Sequence, residues 1–269
     1  MDWNKTKTIF IIVFSILNVF LYSLYLDRYT EAENLEELSE STVDEKLNAD
    51  EITYSNLPED VRGMPYIRGE TKIFTAKEAP QENVQVNIQG GKQLQVAYEE
   101  PFSPTGEAES ADALNAFVKD IVHEGNSYEL WEIDKEQNKA VYFQTFDGET
   151  LYFSEDGKVT VYWNNNGDIV RYEQTMFIDI IENQEPKELV SAVTAIHTLY
   201  QKNLLERELT INKTELGYSV HVQVSDNRQM FVPTWHIQAE LSDGTREDYF
   251  VNAVKDGVIE LNKQEEEAE

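Results

Sequence analysis

Residues 141–174 read VYFQTFDGETLYFSEDGKVTVYWNNNGDIVRYEQ, and this stretch decides the fold. Short runs rich in Val, Tyr, Phe and Thr are broken by Asp147-Gly148, Asp156-Gly157 and Asn166-Gly167. Such dipeptides supply the positive φ angles of tight hairpin turns, so the stretch predicts successive antiparallel strands running through Ile181. Upstream, Ser110 caps a predicted helix whose Leu114, Phe117, Val118 and Ile121 share one apolar face, with Gly125 as its stop. Before that, Val84, Val86 and Ile88 alternate, Gly90-Gly91 turns, and Leu94, Val96 and Tyr98 alternate back as a hairpin. Downstream, Pro186 opens a second predicted helix carrying Leu189, Val193, Ile196 and Tyr200. Strands return from Thr210 to Leu261, turning at Asp243-Gly244 and Asp256-Gly257.

The order is helix then antiparallel strands, twice. This predicts an α+β fold of two small modules, residues 61–182 and 183–263, each with a helix packed on a curled antiparallel sheet. A faint internal echo supports duplication. Trp131-Glu132-Ile133 parallels Trp235-His236-Ile237, and each is followed by Asp-Gly, by Tyr-Phe (Tyr152-Phe153 and Tyr249-Phe250), and by a second Asp-Gly.

The charge is distributed unevenly. The 269 residues hold 22 Lys+Arg and 51 Asp+Glu, for a net charge of −29, and no cysteine. So acidic a chain is a poor partner for nucleic acids or other anionic polymers. Without cysteine there are no disulfides, thiolate metal sites or cysteine nucleophiles. Residues 31–60 carry eleven acids and one base, Lys46, which reads as part of a solvated acidic stalk over 27–60. Thr42-x-x-Glu45 is a capping-box pattern that opens a short helix through Leu47. Residues 264–269 form an acidic tail.

The exception is the N-terminus. Thr8 to Leu26 is uncharged and mostly Ile, Leu, Phe and Val. A helix of that length spans about 28 Å, close to a bilayer's hydrocarbon thickness of about 30 Å. Lys5 and Lys7 precede it, so positive-inside bias places residues 1–7 in the cytoplasm and the remainder outside. The rival reading is a cleaved signal peptide, which calls for a shorter apolar run and a small-x-small site; here the run ends on bulky Tyr25 and Leu26. A single-pass signal anchor in the lipid bilayer of the cell membrane is the expectation. Without residues 1–26 the exterior part has 20 basic and 50 acidic residues, a net charge of −30.

The span also carries a polar stripe. Ser15, Asn18, Tyr22, Tyr25 and Tyr29 recur at three- and four-residue spacing along one helix face. Tyrosines near the outer end suit the headgroup level, but an amide near mid-span needs a hydrogen-bond partner. Ser15, Asn18, Tyr22 and Tyr25 are therefore the candidate interface with another transmembrane helix.

A search for chemistry assigns no catalytic, cofactor or metal residue. Phosphate-binding glycine loops, His-Glu-x-x-His and Gly-x-Ser-x-Gly are absent. Gly217-Tyr218-Ser219-Val220-His221 approaches a nucleophile elbow, but strand alternation explains it better. His197 lies on the apolar face of the second helix as a hydrogen-bonded core histidine, and His221 and His236 fall on polar strand faces where they can neighbour one another. Asn164 to Asp168 lacks the alternating ligands of a calcium loop.

The opening Met-Asp-Trp-Asn-Lys-Thr-Lys-Thr-Ile-Phe-Ile-Ile-x-Phe, then Leu17-Asn18 and Phe20-Leu21, resembles the YycI (WalI) family. Ile52-Thr53-Tyr54, Leu57-Pro58 and Met64-Pro65-Tyr66-Ile67 extend the likeness. The resemblance implies a membrane-anchored, non-enzymatic regulator in Gram-positive bacteria. Its membrane helix would contact the sensor histidine kinase WalK (YycG), its exterior part would bind the companion YycH, and the kinase's response regulator would control cell-wall metabolism. It also implies helix-on-sheet modules. Two other classes stay open on the residues alone: a membrane-anchored wall enzyme with an acidic cleft, and an exterior folding factor or protease inhibitor.

Overall fold

The computed structural model describes residues 43–55, 57–58, 61–104, 110–182 and 185–259, with single helical positions 7, 10, 13–15, 17–18 and 21–22. The first half contains β1 (Thr53–Tyr54), β2 (Ile67–Thr71), β3 (Val84–Gln89), β4 (Gln93–Phe102) and helix α1 (Ala111–Ile121). It continues with β5 (Tyr128–Asp134), β6 (Lys139–Phe146), β7 (Glu149–Tyr152), β8 (Lys158–Trp163), β9 (Ile169–Gln174) and β10 (Phe177–Glu182). The second half contains α2 (Ala192–Gln201), β11 (Leu209–Ser225), β12 (Arg228–Leu241), β13 (Arg246–Asn252) and β14 (Gly257–Val258). The class is α+β, with a large sheet and few helices.

Local chemistry explains the elements. The Ser110 hydroxyl accepts from the Ala113 N–H at 3.3 Å, starting α1, whose Leu114, Phe117 and Val118 are buried. Between β6 and β7, Asp147 and Gly148 have φ of 52° and 88°, the two-residue turn whose twist matches the flanking strands. The second helix starts later than its sequence suggests. Ser191, not Pro186, is its cap and accepts from the Thr194 N–H at 3.0 Å. Lys187 exchanges both main-chain hydrogen bonds with Met64, which holds 186–190 extended and leaves Ala195, Ile196 and Leu199 as the inner face.

The strands join one hydrogen-bonded path, β10-β2-β12-β11-β7-β6-β8-β9-β4-β3, with β5 on β6, β13 on β12, β14 on β13 and β1 on β11. Instead of two separate sheets, the halves meet where β7 lies parallel to β11, Gly217 opposite Thr150 and Ser219 opposite Tyr152. Gly217 makes that approach possible: a Cβ there would stand 2.6 Å from the Thr150 carbonyl oxygen and run into the Tyr152 ring.

The core follows this arrangement. Under α1, Leu114, Phe117 and Val118 pack with Val96, Tyr142 and Tyr172. Under α2, Ala195, Ile196 and Leu199 pack with Ile211, Trp235 and Val251. A third cluster, Met64, Ile67, Leu151, Phe177, Tyr218 and Phe231, draws on both halves.

The expected acidic stalk needs correction. Its described part, 43–58, does not stand off in solvent: Val43, Leu47 and Ile52 are buried beneath α2. Residues 43–49 are helical, so Val43 and Leu47, four apart, share one face, while Glu45 is exposed. Tyr54 then pairs with Ile211 as part of β1. The rest of the expected stalk and the tail at 264–269 lie outside the described residues.

Candidate functional site

The described positions of the predicted anchor are helical, and Ser15, Asn18, Tyr22 and Lys7 are all exposed there. Asn18 Nδ2 donates to the Phe14 carbonyl at 2.9 Å, so the amide spends one of its two donors within its own helix. Tyr25 and Lys5 lie outside the described residues. Phe10, Phe14 and Tyr22 are each more than 60% exposed, at 69%, 64% and 64%. Among the described residues no helix is long and apolar enough to cross a membrane.

The histidines sort differently from their sequence expectation. His197 on α2 is buried and its Nε2 lies 2.9 Å from Asp44 Oδ1, as a hydrogen-bonded core histidine should be. His221 and His236 are not neighbours. Glu215, not His221, sits opposite His236, and the His221 ring faces Tyr66 at 6.1 Å between centroids. His236 is buried rather than on a polar face, stacked on Phe250 at 5.0 Å and beside Trp131 at 4.9 Å. Its Nε2 is 2.7 Å from Asp248 Oδ1. The echoed residues of the two halves thus meet: Trp131, Tyr152 and Phe153 from one, His236 and Phe250 from the other. Ser219 is fully buried mid-strand between Tyr152 and Val232, which excludes the exposed nucleophile of an elbow.

A cleft of about 500 Å³ lies on the outer edge of β11. Two short strands pair with that edge, both parallel to β11: β1 at Thr210 and Ile211, and β7 from Gly217 to Ser219. Lys213 to Leu216 lie between them with no strand opposite among the described residues. The chain leaves the edge after Tyr54, and Pro58, which has no N–H to extend a ladder, lines the cleft with Val61 and Arg62. Leu216 and Trp235 form an apolar wall, and Thr214 Oγ1 is shielded without a partner.

Three carboxylates rim the cleft: Glu129, Glu149 and Glu215. Glu129 accepts from the Thr150 hydroxyl at 3.1 Å, and Glu215 pairs with Lys213 at 2.8 Å. Glu149 keeps its proton to higher pH than an ordinary glutamate, first because it is partly buried and then because Glu215, Asp147 and Glu129 repel its charge. Burial raises the Tyr152 phenol as well, reinforced by Glu215, Glu149 and Glu129, and the Tyr218 phenol, reinforced by Glu149, Glu182 and Asp147. Among the described residues no group of three or more His, Asp or Glu is placed to hold a metal ion. Sequence reasoning missed this cleft. Its acids are unremarkable in a chain with 51 of them, and the gap arises only from long-range parallel pairing.

The family model described as YycI protein matches residues 31–254. The chain belongs to the YycI family. That family is regulatory and belongs to two-component signalling, as the N-terminal likeness implied. The match takes in the acidic segment that docks beneath α2, in keeping with its place in the core. No curated protein matches this YycI-family chain. Among solved structures, an uncharacterized protein from Eubacterium rectale ATCC 33656 is similar at 10% identity and a TM-score of 0.49, covering 78% of this chain and 91% of that one. The Bacillus megaterium YpeB C-terminal domain is similar at 17% identity and a TM-score of 0.42, covering 65% and 73%.

Proposed function

We propose that this chain is a non-enzymatic, single-pass membrane regulator that adjusts the WalK (YycG) sensor histidine kinase. The observation that carries this reading is the family match over residues 31–254. Residues 8–26 would span the membrane with Lys5 and Lys7 inside, and Ser15, Asn18, Tyr22 and Tyr25 would face the kinase helix. The exterior modules would bind the companion YycH. The domain plan is an anchor, a connector shorter than the expected stalk, and two helix-on-sheet halves sharing one sheet.

Coupling between exterior and membrane follows from the docked segment. Asp44 and Asp50 tie residues 43–52 to α2 through His197 and Tyr200, so the chain leading to the membrane leaves from a fixed point on the second half. The anchor must pack differently on two kinase states to shift signalling, and a difference of about 1–3 kcal/mol changes it several-fold. The test is kinase phosphorylation in membranes containing the full chain or its Asn18→Leu variant. The proposal expects the variant to lose most of its effect on the kinase while staying in the membrane. Full retention of the effect would remove the membrane-helix mechanism.

A further inference from the structure

The cleft on β11 has the properties of an interrupted sheet. In an antiparallel pair, residues alternate between those that exchange hydrogen bonds and those whose main-chain groups point to the opposite edge. Pro233 lacks an N–H, and its carbonyl accepts from Ala253, on the side away from β11. Pro233 and its partner Tyr218 therefore form a pair that does not hydrogen-bond across β11 and β12. Counting back along β11, Leu216 and Thr214 share that phase and aim their main-chain groups outward, Thr214 into the stretch without a facing strand. Thr214 also contributes the shielded, partnerless hydroxyl.

The space fits a strand. From Lys213 to Leu216 the edge runs about 13 Å at roughly 3.3 Å per residue. Its ends are set by β1 and β7, both already paired to β11, so an occupant would complete a row of three. Side chains of a strand alternate between faces. One set would meet Leu216 and Trp235, and the other would meet the rim of Glu129, Glu149 and Glu215. Arg62 and Lys213 are the basic groups nearby, and Lys213 is already paired with Glu215.

We infer that this cleft binds an extended, basic segment of a partner protein by strand addition to β11 between β1 and β7, with alternating apolar and Lys or Arg side chains. The carboxylates select charge, and the open main chain selects an extended backbone. The inference rests on the reading of the exterior part as a binding module, and it gives that module a ligand class.

The test uses the full chain in nanodiscs of zwitterionic phosphatidylcholine, with a fluorescent end-capped Val-Lys-Val-Lys peptide read by anisotropy at about 150 mM salt, where exposed charges beyond a Debye length of about 8 Å are screened. Saturable binding is expected. The double variant Glu149→Gln and Glu215→Gln should weaken it at least about tenfold. These changes keep side-chain size and remove the like-charge repulsion around Glu149. N-methylation of alternate peptide amides, which keeps every charge but blocks pairing, should abolish binding. Asp112→Asn with Asp120→Asn on α1 should leave it unchanged. Absence of saturable binding, equal binding of the N-methylated peptide, or an unaffected cleft variant would each overturn the inference. The assay is independent of kinase output. A chain that binds no peptide yet still shifts the kinase overturns this inference alone, whereas peptide binding without any kinase effect overturns the regulator reading instead.

Discussion

His197 Nε2 and Asp44 Oδ1 lie 2.9 Å apart, joining α2 to a segment 153 residues earlier in the chain. Asp44 also accepts from the Tyr54 hydroxyl at 3.0 Å, and Asp50 accepts from Tyr200 at 2.7 Å and pairs with Arg207 at 3.1 Å. The acidic residues of 43–54 are thus partly fasteners. Removing Asp44 strands a buried imidazole, and a lost buried hydrogen bond costs about 1–3 kcal/mol. Asp44→Ala should lower the urea midpoint and speed cleavage by protease within 43–52. An unchanged cleavage pattern would show that the segment is held by its apolar residues alone.

Leu47 separates a docked segment from a solvated stalk. Its side chain is 1% exposed among Ile196, Leu199 and Trp235. Leu47→Ala should destabilise the protein by about 2–5 kcal/mol, as buried Leu→Ala changes do. A stalk residue would show almost no effect in the same denaturation experiment.

Gly217 tests the junction of the halves. A side chain there strikes the Tyr152 ring and the Thr150 carbonyl, so Gly217→Val forces β7 away from β11. Overpacking of this kind costs about 1–3 kcal/mol or more. The expected readout is a lower denaturation midpoint together with faster hydrogen exchange in 149–152. Gly148→Ala is the contrast. It has open space around its Cβ but a φ of 88°, so it strains the turn without parting the strands.

Two glutamates pull the pH profile in opposite directions. Glu149 has its folded value raised above 4.5 by burial and then by Glu215, Asp147 and Glu129. The folded protein therefore holds its proton longer than the unfolded chain, and stability falls as pH rises from the unfolded to the folded value. Glu149→Gln should stabilise at neutral pH and have little effect in acid. Glu78 behaves in the opposite sense. Its hydrogen bond from the Thr75 hydroxyl, in a capping box, lowers it to about 2. Its contribution is present above the unfolded value of 4.5 and is lost as pH falls towards 2, so Glu78→Gln should flatten the acid limb. Urea midpoints of each variant from pH 2 to 8 check both signs.

Local signals were the legible part of this fold. Ser110 as a cap, the apolar face of α1, and the Asp147-Gly148 turn all arise from neighbours in sequence, and the chain displays them openly. Composition misled at 43–54, where Val43, Leu47 and Ile52 are diluted by acids, two of which, Asp44 and Asp50, are themselves bonded to α2. Pro186 misled because it suits a first helical turn equally well when extended, and only the distant Met64 decides between the two. The junction at Gly217 and the cleft beside it depend on parallel pairing of β7 with β11 across more than sixty residues. No periodicity within either strand carries that information. The charge excess hid the carboxylates of the cleft for the same reason that it hid the core of the docked segment: an average over a window conceals which side each residue takes.

The membrane helix is the centre of the regulator account, and site-specific photocrosslinking in native membranes tests it most directly. Photoreactive residues at Asn18 and Tyr22 would sample the polar stripe, and at Val13 and Leu17 the opposite face of the same helix. The account predicts adducts with the sensor kinase from Asn18 and Tyr22 and none from Val13 and Leu17. Equal capture from both faces, or capture from neither, would contradict it.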